Sequence, residues 1–351
     1  MLIRRAEVIP YALPFRDPYV TARGTLERRE LILFRLTTDE GRIGLGETTA
    51  LSLRGGRALA EIAAELEGLA ALCEAETGGV ATSHLSRELG TPEAACALAT
   101  AVMDLALRLK GPAPATPGPI PCNATLSAGA PEEVAEAALR WRELGFSTFK
   151  LKVGPGDDLS QVAATRDALG PEARIRVDAN GTWSMPAAIE ALRRLEQLDV
   201  ELCEQTVATL EEMAEVRGAT AVPLAGDESV REPEDARRAA ALGACDLATL
   251  KLVKVGGPVA AERGAWSMPV YLSSALDGPV GIAAAGRVAA AMRARQDRSD
   301  AGLAHGLATQ LLFSETIAAR GPEVRDGMLH LPEGPGLGVE LDEEALDRHR
   351  I

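Results

Sequence analysis

The chain has 351 residues, 46% of them apolar and 25% charged, which is the composition of an ordinary globular protein with one large domain or two. Its 51 acidic and 37 basic residues give a net charge of −14, which disfavours a nucleic-acid partner because phosphate binding needs a basic face. It has no apolar run of about 18 residues, no secretory signal at its start and no paired cysteine motif, so we expect a cytoplasmic protein that does not bind a membrane.

The first third of the chain predicts an α+β domain. Residues 28–50 predict two strands joined by a turn at Asp39-Glu40-Gly41. Helices are predicted over 56–75 and 91–110, and Thr91-Pro92-Glu93 is a typical cap and first turn for the second. The stretch 110–121 is rich in Pro and Gly and predicts a linker, so the first domain is expected to cover residues 1–110.

Beyond the linker, short apolar strands alternate with helical segments. Such βα units imply parallel strands with helical crossovers, and eight of them favour a closed (β/α) barrel over residues 111–314, with a doubly wound sheet as the alternative. The tail, about 315–351, is expected to return to the first domain and complete it. The candidate strands are 120–126, 147–153, 173–179, 200–205, 222–228, 247–253, 269–275 and 301–307.

Charged residues end five successive strands, at intervals of 23 to 26 residues: Lys152, Asp178, Glu204, Asp227 and Lys251. In a barrel the carboxyl ends of the strands form the rim where catalysis occurs. Three carboxylates at one rim would repel each other, and a Mg²⁺ ion, which prefers hard oxygen ligands, resolves that repulsion. The series therefore predicts a metal site flanked by two lysines.

Strand alternation puts Lys150 on the same face as Lys152, while Phe149, Leu151 and Val153 point the other way. Burial and like-charge repulsion from Lys150 are expected to lower the pKa of Lys152, as a general base requires. Together with the carboxylates, this pair is typical of metal-assisted proton abstraction next to a substrate carboxylate.

These motifs resemble the pattern of the enolase superfamily, in the branch of muconate lactonising enzymes. The stretch GRIGLGE at 41–47 is similar to a motif of the family's capping domain. The resemblance implies an α/β fold, a (β/α)8-type (modified TIM) barrel with an N-terminal α+β capping domain, and Mg²⁺ or Mn²⁺ as cofactor. The matching positions are Lys150 and Lys152 for the Lys-x-Lys pair, Asp178, Glu204 and Asp227 for the metal ligands, and Lys251 for the last lysine.

Within this branch, residues 177–183, 204–217, 227–231 and 273–285 are most similar to o-succinylbenzoate synthases of the actinobacterial type. That resemblance implies a metal-dependent carbon–oxygen lyase of menaquinone biosynthesis, which carries out the syn dehydration of 2-succinyl-6-hydroxy-2,4-cyclohexadiene-1-carboxylate through a metal-stabilised enediolate. Lys152 would be the base, Lys251 would stabilise the enediolate, and Lys150 would help to hold the substrate carboxylate.

Several alternatives stay open. A racemase of N-succinylamino acids or a dipeptide epimerase of the same branch would use the same two lysines, one on each face of the α-carbon. A Schiff-base aldolase would not need three carboxylates. A barrel that only binds ligands would have no reason to keep charges at five rim positions.

Other residues are expected around the site. Asn180 and Glu228 are predicted to support the metal ligands rather than to bind the ion. Ser273 and Ser274 precede a predicted helix start, and by the resemblance this loop would bind the substrate's succinyl carboxylate or its neighbourhood, with a simple helix cap as the alternative. Arg23 lies in a segment, 15–29, that resembles the family's lid and is expected either to meet substrate or to be solvated.

Two further side chains, those of Lys254 and His305, are not assigned a role in the site. Lys254 is expected at the surface because a continued strand would turn it away from Lys251. His305 is expected in the core or at the rim, since the four histidines form no cluster. The only partner predicted is a small-molecule carboxylate substrate, and the oligomeric state is not predicted.

Overall fold

A computed structural model describes residues 2–21, 24–51, 56–75, 90–111, 118–154, 159–294 and 302–351. Its N-terminal part is an antiparallel sheet in which β2 pairs with both β1 and β3, and two helices pack on it. The predicted turn at 39–41 and the cap at Thr91 are confirmed. The elements are β1 (Ile3–Thr21), β2 (Gly24–Thr38), β3 (Ile43–Thr49), α1 (Leu59–Ala75) and α2 (Pro92–Leu109).

The two faces of β2 pack against different parts of the molecule. Ile32 and Phe34 belong to the apolar cluster formed with α1 and α2. Leu31 and Leu33 belong to the large cluster that includes the interior of the C-terminal part. Because side chains alternate along a strand, Arg29 lies on the same side as Leu31 and Leu33.

The central part is a parallel sheet of seven strands joined by helices, in the order β11-β10-β9-β8-β7-β6-β5. The predicted parallel α/β architecture is therefore confirmed. The strands are β4 (Ile120–Pro121), which lies outside this sheet, then β5 (Ala124–Leu126), β6 (Thr148–Lys152), β7 (Arg174–Asp178), β8 (Leu202–Glu204), β9 (Leu224–Gly226), β10 (Leu247–Leu250) and β11 (Val270–Leu272). The helices are α3 (Pro131–Glu143), α4 (Ser160–Leu169), α5 (Met185–Gln197), α6 (Leu210–Arg217), α7 (Pro233–Leu242), α8 (Leu252–Val255), α9 (Pro258–Ala265) and α10 (Pro279–Ala294).

A short segment near the predicted eighth strand connects the two edges of this sheet. His305 forms a parallel bridge with Cys122, beside β5, and Gly306 forms one with Ser273, beside β11. The amide of Asn123 donates to the carbonyl of His305, and the amide of Ser274 donates to that of Gly306. These bonds close the sheet into a barrel, as the eight-unit pattern predicts.

The last segment of the chain returns to the N-terminal sheet. Arg350 bridges Tyr11 of β1, and the buried carboxylate of Asp104 accepts hydrogen bonds from the amides of Leu45 and Leu337. The expected return of the tail is thus seen, while the exact domain boundaries stay a prediction. The remaining elements are a 3₁₀ turn (Thr309–Leu312), β12 (Ala318–Arg320), β13 (Glu323–Arg325), β14 (Met328–His330), β15 (Glu340–Leu341) and α11 (Glu343–His349).

The structure also shows the state of the cysteines and the character of the helices. All five cysteines are buried and unpaired. Within the described ranges, none of the helices combines the length and the apolarity that crossing a bilayer requires.

Candidate active site

The five predicted rim residues lie where their strands end. Lys152, Asp178 and Glu204 are the last residues of β6, β7 and β8, and Asp227 and Lys251 directly follow β9 and β10. The strand register pairs Lys152 with Asp178 and Asp178 with Glu204. The structure therefore brings together side chains that lie as much as a hundred residues apart in sequence.

The three carboxylates form a buried group that fits a divalent cation. One ligand oxygen from each of Asp178, Glu204 and Asp227 lies within 4.8 Å of the others, and all three residues are buried. Oε1 of Glu204 is buried and has no hydrogen-bond partner among the described residues. An unsatisfied buried carboxylate oxygen is costly, and Mg²⁺ or Mn²⁺ would satisfy it with a hard ligand set.

Lysines compensate the negative charge of this group. Nζ of Lys150 lies 2.9 Å from Oδ2 of Asp178 and 2.5 Å from Oε2 of Glu204, Nζ of Lys152 lies 2.7 Å from Oδ2 of Asp178, and Lys251 contacts Asp227. The chain has only five lysines, and all but Lys110 take part.

The charges shift the pKa values of the buried groups in opposite directions. Burial raises the pKa of Glu204, and the nearby Asp178 adds to this rise. Burial alone would raise the pKa of Asp178 as well, but Lys150 and Lys152 hold it well below its usual range. Burial alone would lower the pKa of Lys150, but Asp178 and Glu204 raise it well above the usual value. The positive charge of Lys150 is thus neutralised by two carboxylates. The sequence had instead led us to expect that this charge would repel the amine of Lys152.

Asn180 and Glu228, predicted as supports, form a chain of hydrogen bonds to Lys152. Nζ of Lys152 donates to Oδ1 of Asn180 at 3.0 Å, and Nδ2 of Asn180 donates to Oε1 of Glu228 at 2.9 Å. Asn180 has φ +49°, a conformation that Asn tolerates better than most residues, and its amide donates to Oδ1 of Asp178. This contact network fixes the amine of Lys152 beside the carboxylates.

The surface position predicted for Lys254 is wrong. β10 ends at Leu250 and α8 begins at Leu252, so Lys251 and Lys254 are three residues apart across a helix start. Nζ of Lys254 donates to Oδ1 of Asp227 at 2.6 Å and to the carbonyl oxygen of Thr249 at 3.1 Å. Residues at this spacing share a helix face, which explains why both amines reach Asp227.

Tyr271 and Arg176, which the sequence reading missed, lie beneath the carboxylates inside the barrel. The phenol of Tyr271 donates to Oε2 of Glu204, and the guanidinium carbon of Arg176 lies 4.8 Å from the centre of the Tyr271 ring. Both residues are completely buried. The alternation of side chains along a strand could have identified both residues. Tyr271 lies on the same strand face as Ser273, and Arg176 lies on the same face as Asp178.

A cavity of about 330 Å³, within the range of small-molecule sites, opens above the carboxylates. The barrel contributes Lys150, Lys152, Lys251, Asn180, Glu228, Ser273 and Ser274 to its lining. The N-terminal part contributes Tyr19, Arg29, Ala50 and Leu51. Arg23, the residue expected to meet substrate from the lid, lies outside the described residues.

The helix start after Ser273 and Ser274 already holds an acidic group. The amides of Gly278 and Val280 donate to Oε1 and Oε2 of Glu47, at 2.6 and 3.1 Å. These two amides at the start of α10 therefore already have an acceptor, and binding of a substrate carboxylate by the loop with Ser273 and Ser274 stays a prediction. The two serines remain at the cavity, where Oγ of Ser274 accepts from the amide of Asp277 at 2.8 Å.

His305 is a core residue, as expected. It is completely buried, and its Nδ1 accepts from the amide of Leu272 at 3.0 Å. Burial lowers the pKa of His305 to about 3, so it is neutral at physiological pH.

The chain matches the family described as "Enolase C-terminal domain-like" over residues 133–345, more than half of its length. It is 41% identical to o-succinylbenzoate synthase of Thermobifida fusca over 49% of this chain and 56% of that protein, so the match spans little more than half of that relative. It is also 41% identical to o-succinylbenzoate synthase of Mycobacterium marinum, over 66% of this chain and 69% of that protein. Muconate cycloisomerase 1 of Pseudomonas putida is 30% identical over 99% of this chain and 98% of its own.

Solved structures with other activities share the fold. A dipeptide epimerase of Cytophaga hutchinsonii, solved with Mg and the dipeptide D-Ala-L-Val, superposes with a TM-score of 0.89 at 25% identity, over 99% of this chain and 98% of its own. The N-succinyl Arg/Lys racemase of Bacillus cereus superposes with a TM-score of 0.89 at 26% identity, over 100% and 98%. The proteins to which this chain is similar thus include synthases, a cycloisomerase, an epimerase and a racemase.

Proposed function

We propose that this chain, which belongs to the enolase superfamily, is a metal-dependent o-succinylbenzoate synthase that dehydrates 2-succinyl-6-hydroxy-2,4-cyclohexadiene-1-carboxylate in menaquinone biosynthesis. The observation that carries the proposal is the buried group of Asp178, Glu204 and Asp227, with Lys152 and Lys251 beside it. The identity of 41% to synthases supports the choice of substrate.

In this proposal the three carboxylates hold Mg²⁺ or Mn²⁺, which supplies positive charge that stabilises an anion developing on a substrate carboxylate. Lys152, whose side chain is 25% exposed and lines the cavity, accepts the proton from the carbon next to that carboxylate. The breaking C–H bond leaves its electron pair on the substrate. When the ring C–O bond then breaks, the same ammonium returns the proton to the departing hydroxyl, and water leaves from one face.

The other lysines have separate roles in this scheme. β10 lies four strands from β6 in the sheet order, and in a barrel of eight strands this puts Lys251 across the mouth from Lys152. Its ammonium stabilises the anion from the other side. Lys150, almost completely buried, bonds to both Asp178 and Glu204 and keeps a positive charge near the place where the substrate carboxylate binds.

A racemase of N-succinylamino acids, or a dipeptide epimerase, is the second candidate. Two lysines on opposite sides of the mouth suit the removal of a proton from one face and its return to the other. The N-succinyl Arg/Lys racemase of Bacillus cereus has a similar fold, which supports this candidate. A barrel that only binds ligands is the candidate of another class.

The test is an assay of the purified protein with Mg²⁺. Loss of cyclohexadiene absorbance reports dehydration, and N-succinylamino acids or dipeptides in D₂O report exchange of the α-proton by NMR. We expect dehydration by the wild type and its loss, by about 10³-fold or more, in Lys152→Ala, because the base has no substitute on that face.

Lys110→Ala is the matched control, since Lys110 is exposed and is the one lysine outside the site. Wild-type-like dehydration by a folded Lys152→Ala protein contradicts the proposal. Exchange without dehydration favours the racemase or epimerase, and binding without either reaction favours the binding module.

A further inference from the structure

Arg29 is a buried cation on the wall of the cavity. It is 4% exposed and comes from β2, on the face turned toward the barrel. Its Nη2 donates to two carbonyl oxygens, those of Ala50 and Ala275, both at 2.8 Å. These bonds connect the N-terminal sheet to the loop that follows β11, and they fix the position of the guanidinium at the cavity wall.

Among the described residues, none pairs its carboxylate directly with the charge of Arg29. Among the described residues its two hydrogen-bond acceptors are both neutral carbonyls, and its Nε is buried without an acceptor. Burial lowers the pKa of Arg29 to about 10, and the negative charge of Asp277 opposes this only in part. A buried cation without a paired anion is costly, and such a group beside a ligand cavity gains free energy when an anion binds there.

Other groups that could receive a second anion are already engaged. The first amides of α10 bind Glu47, and Lys150, Lys152 and Lys251 contact the carboxylates of the metal site. Of the cavity residues from the N-terminal part, which are Tyr19, Arg29, Ala50 and Leu51, Arg29 alone carries a positive charge.

We propose that Arg29 binds a second carboxylate of the substrate, so that the cavity selects dianions. One carboxylate lies at the metal site and the other lies against the N-terminal sheet. This inference rests on the proposed function and narrows it: succinyl-bearing compounds fit the cavity, while compounds with a neutral or cationic end do not. Arg29 is thus assigned a part in substrate specificity, through a charge-assisted hydrogen bond of a kind that arginine forms well.

Binding of inert ligands to the Mg²⁺-loaded protein tests the proposal without turnover. Isothermal titration calorimetry compares 2-succinylbenzoate, which has two carboxylates, with its tail amide, which has one. We expect the wild type to bind the dicarboxylate about 10- to 100-fold more tightly, the usual effect of one charge-assisted hydrogen bond. Arg29→Met should abolish this preference while changing affinity for the amide by less than about threefold.

Arg28→Met is the matched control, because Arg28 is exposed and paired with Glu30, and we expect its preference to equal that of the wild type. Arg29→Lys keeps the charge and should retain part of the preference, which covers the case in which Arg29→Met does not fold. Equal binding of the two ligands by the wild type, or equal weakening of both in Arg29→Met, overturns the inference. A wild type that prefers the dicarboxylate but does not dehydrate disproves the proposed reaction and leaves this inference standing.

Discussion

At Glu204 the two carboxylate oxygens have different surroundings. Oε2 accepts hydrogen bonds from Lys150 and Tyr271, whereas Oε1 is buried and has no hydrogen-bond partner among the described residues. The phenol of Tyr271 therefore fixes the rotamer of Glu204 and leaves Oε1 for a cation. Groups that orient a metal ligand in this way commonly affect affinity as much as a ligand does.

We predict that Tyr271→Phe weakens metal binding by about 10- to 100-fold, the usual cost of losing a group that orients a ligand. The ring still fills the same volume and can still contact Arg176. Binding of Mn²⁺ followed by electron paramagnetic resonance measures the change directly. Tyr19→Phe is the control, because Tyr19 lines the cavity from the N-terminal part and comes from none of the strands that carry the carboxylates. Unchanged Mn²⁺ affinity in Tyr271→Phe would show that Lys150 alone orients Glu204.

The clustering of charged residues at the strand ends was predictable because each is a charged side chain that interrupts an apolar strand at a regular interval. Tyr271 and Arg29 were harder for a physical reason. An aromatic residue in a strand packs equally well on either face, and an arginine at a strand start usually faces water. Which face is enclosed depends on what packs against the sheet, and for β2 that is the barrel.

At the scale of elements, β3 and α10 meet through a buried carboxyl group. Glu47 is 3% exposed and receives hydrogen bonds from Tyr11, Gly278 and Val280. Burial raises the pKa of Glu47 to about 8, an effect that outweighs the opposing hydrogen bonds. The junction between the sheet and the barrel helix therefore contains a group that is protonated at neutral pH when the protein is folded.

The sign of the resulting pH dependence follows from the raised pKa. Between about pH 4.5, where Glu47 titrates in the unfolded chain, and about pH 8, the folded protein holds a proton that the unfolded chain releases. We expect the free energy of unfolding of the wild type, relative to that of Glu47→Gln, to fall across this window by at most about 1.4 kcal/mol per pH unit and to be level outside it.

Urea denaturation at a series of pH values measures this difference. Glu40→Gln, which alters an exposed acid in the turn before β3, should follow the wild type. Parallel pH profiles for the wild type and Glu47→Gln would mean that Glu47 keeps an ordinary pKa.

Element order was predictable and element ends were not. The alternation of strands and helices, the turn at 39–41 and the cap at Thr91 are local patterns that the chain follows. β10 instead ends at Leu250, and the following helix α8 stops after a single turn at Gly256, whose φ of +89° suits a helix end. If β10 had continued as a strand to residue 254, the side chain of Lys254 would have pointed away from Lys251 and toward the surface. This is why its position was predicted wrongly.

At the scale of the whole molecule, a bound cation should stabilise the fold. The three ligands come from three strands, so metal binds only the folded chain, and mass action adds about 2.7 kcal/mol at a concentration 100 times the dissociation constant. We predict that Mg²⁺ raises the thermal unfolding midpoint and that Glu204→Gln loses most of this rise. Scanning calorimetry with and without EDTA measures it, and an equal rise in both proteins would place the bound metal elsewhere.

The cavity draws its walls from the N-terminal part of the chain as well as from the barrel. The residues assigned to proton transfer and metal binding lie between Lys150 and Lys251, whereas Tyr19, Arg29, Ala50 and Leu51 come from the first 51 residues. Mutations in the early stretch can therefore change which molecule fits while the chemistry stays intact. A gene built in this way can acquire a new substrate before it loses the old one, and descendants of one ancestor can diverge in metabolism by changing mainly the beginning of the sequence.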